Sequence, residues 1–195
     1  FNILKINKND QLKINKSKTN LNIRLDITFK LIKSINQIKI DKKIFKKFKP
    51  EKSKTFIKNR YLKYPYFDYY CYEIYKKNKP VSLLILRKVN KGKNNLFKII
   101  DYFGEDKNLK YIANLLIHLF KEYKSESVDF YYYGIKETFA KNSFFLNKND
   151  FKNLIIPDWF NPFLKKNIDY HYAVKFSNKH NIRLFKGDGD RDRVN

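Results

Sequence analysis

The residues best able to do chemistry crowd the last stretch of the chain, Lys186-Gly187-Asp188-Gly189-Asp190-Arg191-Asp192-Arg193-Val194-Asn195. In an extended backbone successive side chains point to opposite faces. Asp188, Asp190 and Asp192 then project to one side, and Arg191 and Arg193 to the other. Such a strip can hold a polar ligand or staple the chain to its own basic body; the alternative is a solvated charged tail. The glycines permit close backbone approach, and each arginine can grip a carboxylate or phosphate with two hydrogen bonds. Residues 186–195 are therefore expected to fold back near a cleft. The three aspartates match the first half of a calcium loop, but Arg193 stands where that loop needs glycine, so no metal site is expected.

Other candidates lie further back. Asp101 ends the apolar run 96–103, where a carboxylate can act as general base or orient an amine; the alternative is a helix cap or a partner for lysine. Asp129 opens the next apolar run and is expected beside Asp101 across a sheet, as paired carboxylates, or else as a solvated strand-end acid. Tyr131, Tyr132 and Tyr133 alternate faces. Trp159, with Phe160 and Phe163 held by Pro157 and Pro162, makes either a platform for a sugar ring or a plug for the sheet's end. Neither Cys71 nor Ser143 belongs to a recognisable His/Asp arrangement for nucleophilic catalysis.

Elements must position these groups. Ser53 caps a helix whose apolar residues run to Leu62, and Pro65 ends it. Residues 69–75 and 81–89 read as a hairpin around Lys77-Asn78-Lys79-Pro80, and Lys91-Gly92-Lys93-Asn94 turns into a third strand, 96–103. In residues 105–123 Leu109, Ile112, Leu115, Leu116, Leu119, Phe120 and Tyr123 form one helical stripe, with Glu105 and Asp106 at the positive N-terminus. A strand at 128–133 follows, parallel to 96–103 because a helix joins them. Gly134 then leads into a short helix at 137–142, and 154–156 and 170–176 read as terminal strands. The order predicts a mixed α/β domain at 51–195, with 1–50 an N-terminal arm or the incomplete first part of that domain.

The 195 residues are 43% hydrophobic and 17% aromatic, enough to bury a core, and carry a net charge of +24. Such charge suits a polyanion: nucleic acid, a membrane surface or nucleotide phosphates. Yet the cations are overwhelmingly lysine, travelling with Asn and Ile as in an AT-rich coding bias, while arginine is scarce. That weighs against nucleic acid, which favours arginine for bidentate contacts. A single cysteine fits a reducing, cytoplasmic setting, and no apolar run reaches the ~20 residues of a membrane span. With no methionine, even at position 1, the chain reads as a fragment or processed product.

The order of elements resembles the GNAT acyltransferase fold, and the wording of residues 50–195 resembles a GNAT-like group found with bacterial surface-polysaccharide genes. The segments that carry this are Arg60-Tyr61-Leu62-Lys63-Tyr64-Pro65, Ile100-Asp101-Tyr102-Phe103-Gly104-Glu105, Val128-Asp129-Phe130-Tyr131-Tyr132-Tyr133-Gly134, Ile156-Pro157-Asp158-Trp159-Phe160-Asn161-Pro162-Phe163 and the closing strip. The resemblance implies a central strand and a parallel strand that splay to leave a cleft for acyl-CoA. It implies that Tyr102, Phe103, Gly104, Lys107 and Asn108 hold the cofactor and that Tyr131 or Tyr133 protonates the leaving thiolate, with Asp101 and Asp129 as the catalytic carboxylates. Trp159, Asp188, Asp190, Arg191, Asp192 and Arg193 are then expected to bind an amino sugar or sugar nucleotide. The family's glycine-rich phosphate loop is replaced by Gly104-Glu105-Asp106-Lys107-Asn108, whose two acids repel a phosphate at that helix N-terminus. A non-catalytic ligand-binding module of the same fold and a basic nucleic-acid binder are the alternatives.

Overall fold

A computed structural model describes residues 2–5, 26–91, 94–125, 127–143, 145–147 and 181–189, with single positions 155, 166, 173 and 192. Its strands are β1 (Asn2–Lys5), β2 (Ile27–Ile32), β3 (Tyr69–Lys76), β4 (Lys79–Lys91), β5 (Asn94–Gly104), β6 (Ser127–Phe130), β7 (Tyr132–Tyr133), β8 (Leu146–Asn147) and β9 (Leu184–Phe185). Seven form one mixed sheet in the order β2-β3-β4-β5-β6-β1-β8; β7 and β9 pair separately. Residues before position 51 thus supply two strands of the main sheet, and Ile38, Ile40 and Phe45 enter its core.

β2 to β5 form an antiparallel meander. Lys77 (φ 47°) and Asn78 (φ 63°) are both left-handed, the geometry that matches the twist of a two-residue hairpin. The expected four-residue turn is shorter because Lys79 and Pro80 belong to β4. Pro80 lies opposite Tyr75 beside a register shift, an interruption in the ladder that accommodates its missing N–H.

Ser53 Oγ accepts from the Phe56 N–H at 3.0 Å and opens α1 (Lys54–Ile57), which a wider π-type turn extends to Leu62. The long helix begins as a 3-10 turn, Asp106–Tyr111, becomes α2 (Ile112–Tyr123), and stops at Lys124, whose φ is 50°. α3 spans Glu137–Lys141. The strands expected at 154–156 and 170–176 lie outside the described residues, except for Ile155 and Ala173, which join no regular element.

Each sheet face is covered. Leu109, Ile112, Leu115, Leu116, Leu119 and Phe120 pack on Leu84, Leu86, Phe97, Ile99, Val128 and Phe130. Burying each such side chain stabilises the fold by about 1.5–3 kcal/mol. Across the sheet, Phe45, Ile57 and Tyr61 pack on Cys71, Leu83, Ile85, Ile100 and Phe103.

The parallel pair is short. β5 and β6 run in register from Leu96↔Ser127 to Ile99↔Phe130 and then part. Just past that point β5 bulges: Leu86 faces Ile99 and Ile85 faces Asp101, leaving Ile100 as the extra residue. The single strand expected at 128–133 is in fact two. The chain breaks at Tyr131, and β7 leaves the main sheet to pair with β9 because β5 has turned away. The gap is occupied by β9 and the 3-10 turn Lys186–Asp188. Glycine is required at two points there. Gly134 has φ 82° and a Cβ would sit 1.9 Å from the Ile182 carbonyl oxygen; at Gly187 it would sit 2.4 Å from the Tyr61 hydroxyl.

Candidate functional site

The bulge in β5 turns both Ile100 and Asp101 toward the α1 side of the sheet, since Ile100 joins the core there and Asp101 bonds to groups on that side. Asp101 is fully buried. Its Oδ2 accepts from Lys52 Nζ at 2.7 Å and from the Tyr61 hydroxyl at 2.8 Å. Lys52, itself buried, also meets both oxygens of Asp188, at 2.9 and 3.0 Å. Asp188 is fixed in turn by the Phe185 N–H at 2.8 Å. Burial pushes the Asp101 carboxyl above its ordinary pKa, Lys52 pulls it back, and Asp188 adds to the rise. Burial works to lower Lys52, but the two carboxylates outweigh it and hold the ammonium above its usual value. The Tyr61 phenol is raised well above its ordinary value by burial and then by Asp101. At neutral pH Lys52 is therefore a cation shared by two acids, suited to stabilising negative charge rather than to accepting a proton.

Two further ion clusters lie on the same face. Asp192 is fully buried; its Oδ1 takes Arg87 at 3.0 Å, and its Oδ2 takes Arg60 at 3.1 Å and the Tyr69 hydroxyl at 2.6 Å. Arg87 lies flat over the Phe67 ring, 3.3 Å from its centroid. Lys98 and Asp129, opposite each other in register on β5 and β6, form a buried pair at 2.7 Å. Among the described residues these clusters pair four cations with four carboxylates, and the chain's closing segment supplies two of the acids.

Asp101 and Asp129 do not form the expected carboxylate pair; each has its own lysine, which relieves the repulsion two buried acids would suffer. Tyr131 lies under the Lys186 ammonium, 4.3 Å from its ring centroid, and Tyr133 is 47% exposed on β7. Of the expected cofactor groups, Tyr102 donates its hydroxyl to the Glu105 carbonyl at 2.9 Å and Asn108 donates to Val81 O at 3.1 Å. Lys107 is exposed and pairs with Glu105. Phe103 is buried, and the Gly104 carbonyl accepts from Arg183 at 2.6 Å. Arg183 also pairs with Asp106 and stacks 3.3 Å above Phe48. Among the C-terminal candidates, Asp188 and Asp192 are tied into the fold. Asp190, Arg191, Arg193 and Trp159 lie outside the described residues.

A small half-open cleft of about 20 Å³, room for roughly one water-sized group, opens between residues 44–52, the end of β5 and β9. Its walls are Ile44, Phe45, Phe48, Pro50, Phe103 and Phe185, and its polar side chains include Lys52, Asp101 and Arg183. Among the described residues no cluster of His, Cys, Asp or Glu could hold a metal ion, and no helix is long and apolar enough to cross a membrane. Sequence reasoning missed Lys52, Arg60, Arg87 and Arg183. The available signal was rarity: in a chain that uses lysine almost everywhere, the described arginines are Arg60, Arg87 and Arg183, and all three enter ion pairs with buried or partly buried acids. Comparison with protein-family models and with curated proteins finds no match for the chain.

Proposed function

We propose that the chain is a GNAT-like acyltransferase, moving an acyl group from acyl-CoA to the amine of an amino sugar or sugar nucleotide in bacterial surface-polysaccharide assembly, in the cytoplasm. The observation that supports it best is the fork: a parallel strand pair that parts after Ile99 and Phe130, with the buried carboxylate Asp101 just beyond it. In this reading Asp101 orients the acceptor amine and takes its proton as the amide C–N bond forms, Lys52 stabilises the charge that develops on the acyl oxygen, and as the C–S bond breaks Tyr131 or Tyr133 supplies the thiolate's proton. β9 narrows the fork, so the donor enters through the cleft beside residues 44–52.

Melting curves with acyl-CoA test this reading, together with thiol release in the presence of amino sugars. A ligand that binds the native state at 100 times its Kd adds about 2.7 kcal/mol of stability. The expected result is a raised Tm, with Asp101→Asn losing thiol release while keeping the donor's Tm shift. No shift with any acyl-CoA, and no thiol release, defeats the reading. The engagement of Asp101 Oδ2 by both Lys52 and Tyr61 favours a second reading, a non-catalytic binding module of the same fold. A Tm shift with sugar nucleotides but not acyl-CoA identifies that case.

A further inference from the structure

A lysine-rich turn stands at the rim of the cleft. Residues 39–49 hold six lysines and one acid, Asp41, more than twice the density of the chain's 43 Lys+Arg in 195 residues. The segment is firmly placed. The Asp41 carboxylate accepts from the Lys43 N–H at 2.9 Å and opens a 3-10 turn, Lys42–Lys46. Within it Phe45 is buried edge-on against Phe103, 5.3 Å between ring centroids, and its carbonyl accepts from the Lys52 N–H at 3.1 Å. Residues three apart in such a turn lie over one another, so Lys43 and Lys46 form one row with Lys42 beside it. All three are exposed. The acids nearby are already taken: Glu51 pairs with Lys49, Glu105 with Lys47 and Lys107, and Asp106 with Arg183. Among the described residues Lys42, Lys43 and Lys46 form no ion pair.

Uncompensated cations on a fixed turn make a local positive field open to solvent. Here the field is compact, and Ile44 and Phe48, which alternate with the lysines, line the apolar mouth of the cleft. A small ligand with clustered phosphates and an apolar arm fits that arrangement, whereas a nucleic acid spreads its phosphates along its length. The helix start at Gly104–Asn108 is closed to phosphate by Glu105 and Asp106, but the lysine turn adjoins it through the Lys47–Glu105 pair. We infer that Lys42, Lys43 and Lys46 hold the phosphates of coenzyme A, whose thiol arm runs from the turn toward the cleft. The choice of coenzyme A rests on the acyl-transfer reading above. Phosphates held in this way stay in solvent and need no cavity.

The test titrates the full chain calorimetrically with coenzyme A and with pantetheine, the same arm without phosphates. Coenzyme A should bind more tightly than pantetheine, by a margin that shrinks as salt rises. Lys42→Ala, Lys43→Ala and Lys46→Ala together should weaken coenzyme A about 5–150-fold, the worth of three exposed ion pairs, and leave pantetheine unchanged. The same three positions changed to Arg should keep the native affinity. Alanine at Lys79, Lys110 and Lys121, exposed elsewhere, should alter coenzyme A binding by less than about 2-fold, because distant charges are screened. The proposal is overturned if the native chain binds no coenzyme A, binds pantetheine equally well or prefers an oligonucleotide. It is also overturned if the alanine turn variant keeps native affinity, or if the control variant loses as much. Thiol release from acetyl-coenzyme A separates the site from the reaction. Binding lost in the turn variant, with no thiol release by the native chain, upholds the phosphate site and ends acyl transfer. Thiol release by the turn variant at the native KM ends the phosphate site and leaves acyl transfer standing.

Discussion

Leu115 on α2 and Asp192 near the end of the chain are both fully buried against the same sheet, from opposite sides. Leu115 is one of many interchangeable apolar contacts, each non-directional and worth what its area removes from water. Asp192 has three named partners, Arg60, Arg87 and Tyr69, and no substitute. The helix face is held by quantity, whereas the charged face is held by complementarity. A change on the first removes one contribution; a change on the second removes a partner that several buried groups share.

The sharpest way to break this contrast is Asp192→Ala. It removes the carboxylate shared by Arg60 and Arg87, which are 12% and 13% exposed in their side chains, and should cost about 4 kcal/mol in urea denaturation. Leu115→Ala should cost about 3 kcal/mol through lost transfer energy and a residual cavity. If Asp192→Ala proves the milder of the two by a wide margin, the ionic face is decoration. Next comes Lys98→Met, expected to destabilise by about 3 kcal/mol alone but to fall near zero when combined with Asp129→Leu. The double change also removes Asp129 Oδ1, a buried oxygen with no hydrogen-bond partner among the described residues. A double mutant as weak as the single would show that the site needs the charges themselves.

pH separates the faces again. Lys52 and Tyr61 both sit above their ordinary pKa values. A cation so raised gives its full stabilisation below its unfolded value and loses it as pH climbs through the folded one; a raised phenol stays neutral while the unfolded chain ionises. Urea midpoints should therefore be flat from neutrality and fall above pH ~10, the ordinary range of both groups. Asp101, raised by burial, works in the opposite sense: the fold gains from its protonation as pH falls, so it does not drive acid unfolding. Alkaline midpoints that stay level beyond that range would remove Lys52 from the stabilising layer. The smallest effect belongs to Lys107→Ala. Its pair with Glu105 is well exposed and its loss should stay within ~0.5 kcal/mol, so a marked drop in acyl-CoA affinity with unchanged stability would expose a binding role.

This division also governs what could be read from the sequence. The α2 stripe, the meander and the parallel pairing follow from periodicity and turn residues, because apolar burial repeats with the geometry of the element. The bulge at Ile100, the break at Tyr131 and the lysine partners of Asp101 and Asp129 leave no periodic trace; they arise where distant segments meet. Lys52 reads like any other lysine in a lysine-rich chain. The C-terminal strip did advertise itself through its alternating charges, and stapling to the basic body was one of its readings; which cations Asp188 and Asp192 meet, Lys52, Arg60 and Arg87, left no trace. Removing residues 187–195 should accordingly cost stability as well as any ligand binding.

The clasp between Lys52 and Asp188 joins residues 136 positions apart, and Arg60 meets Asp192 across 132. At a translation rate of roughly 5–20 residues per second, Lys52 is made about 7–27 s before its second carboxylate. Throughout that interval the meander and α2 can already assemble and Lys52 and Lys98 can meet Asp101 and Asp129, while Arg60 and Arg87 wait for Asp192. Completion of the fold is thus a late event, set by synthesis rather than by the folding rate of the sheet. A nascent chain halted before residue 188 should stay open to protease at the fork, however well its helix face has packed.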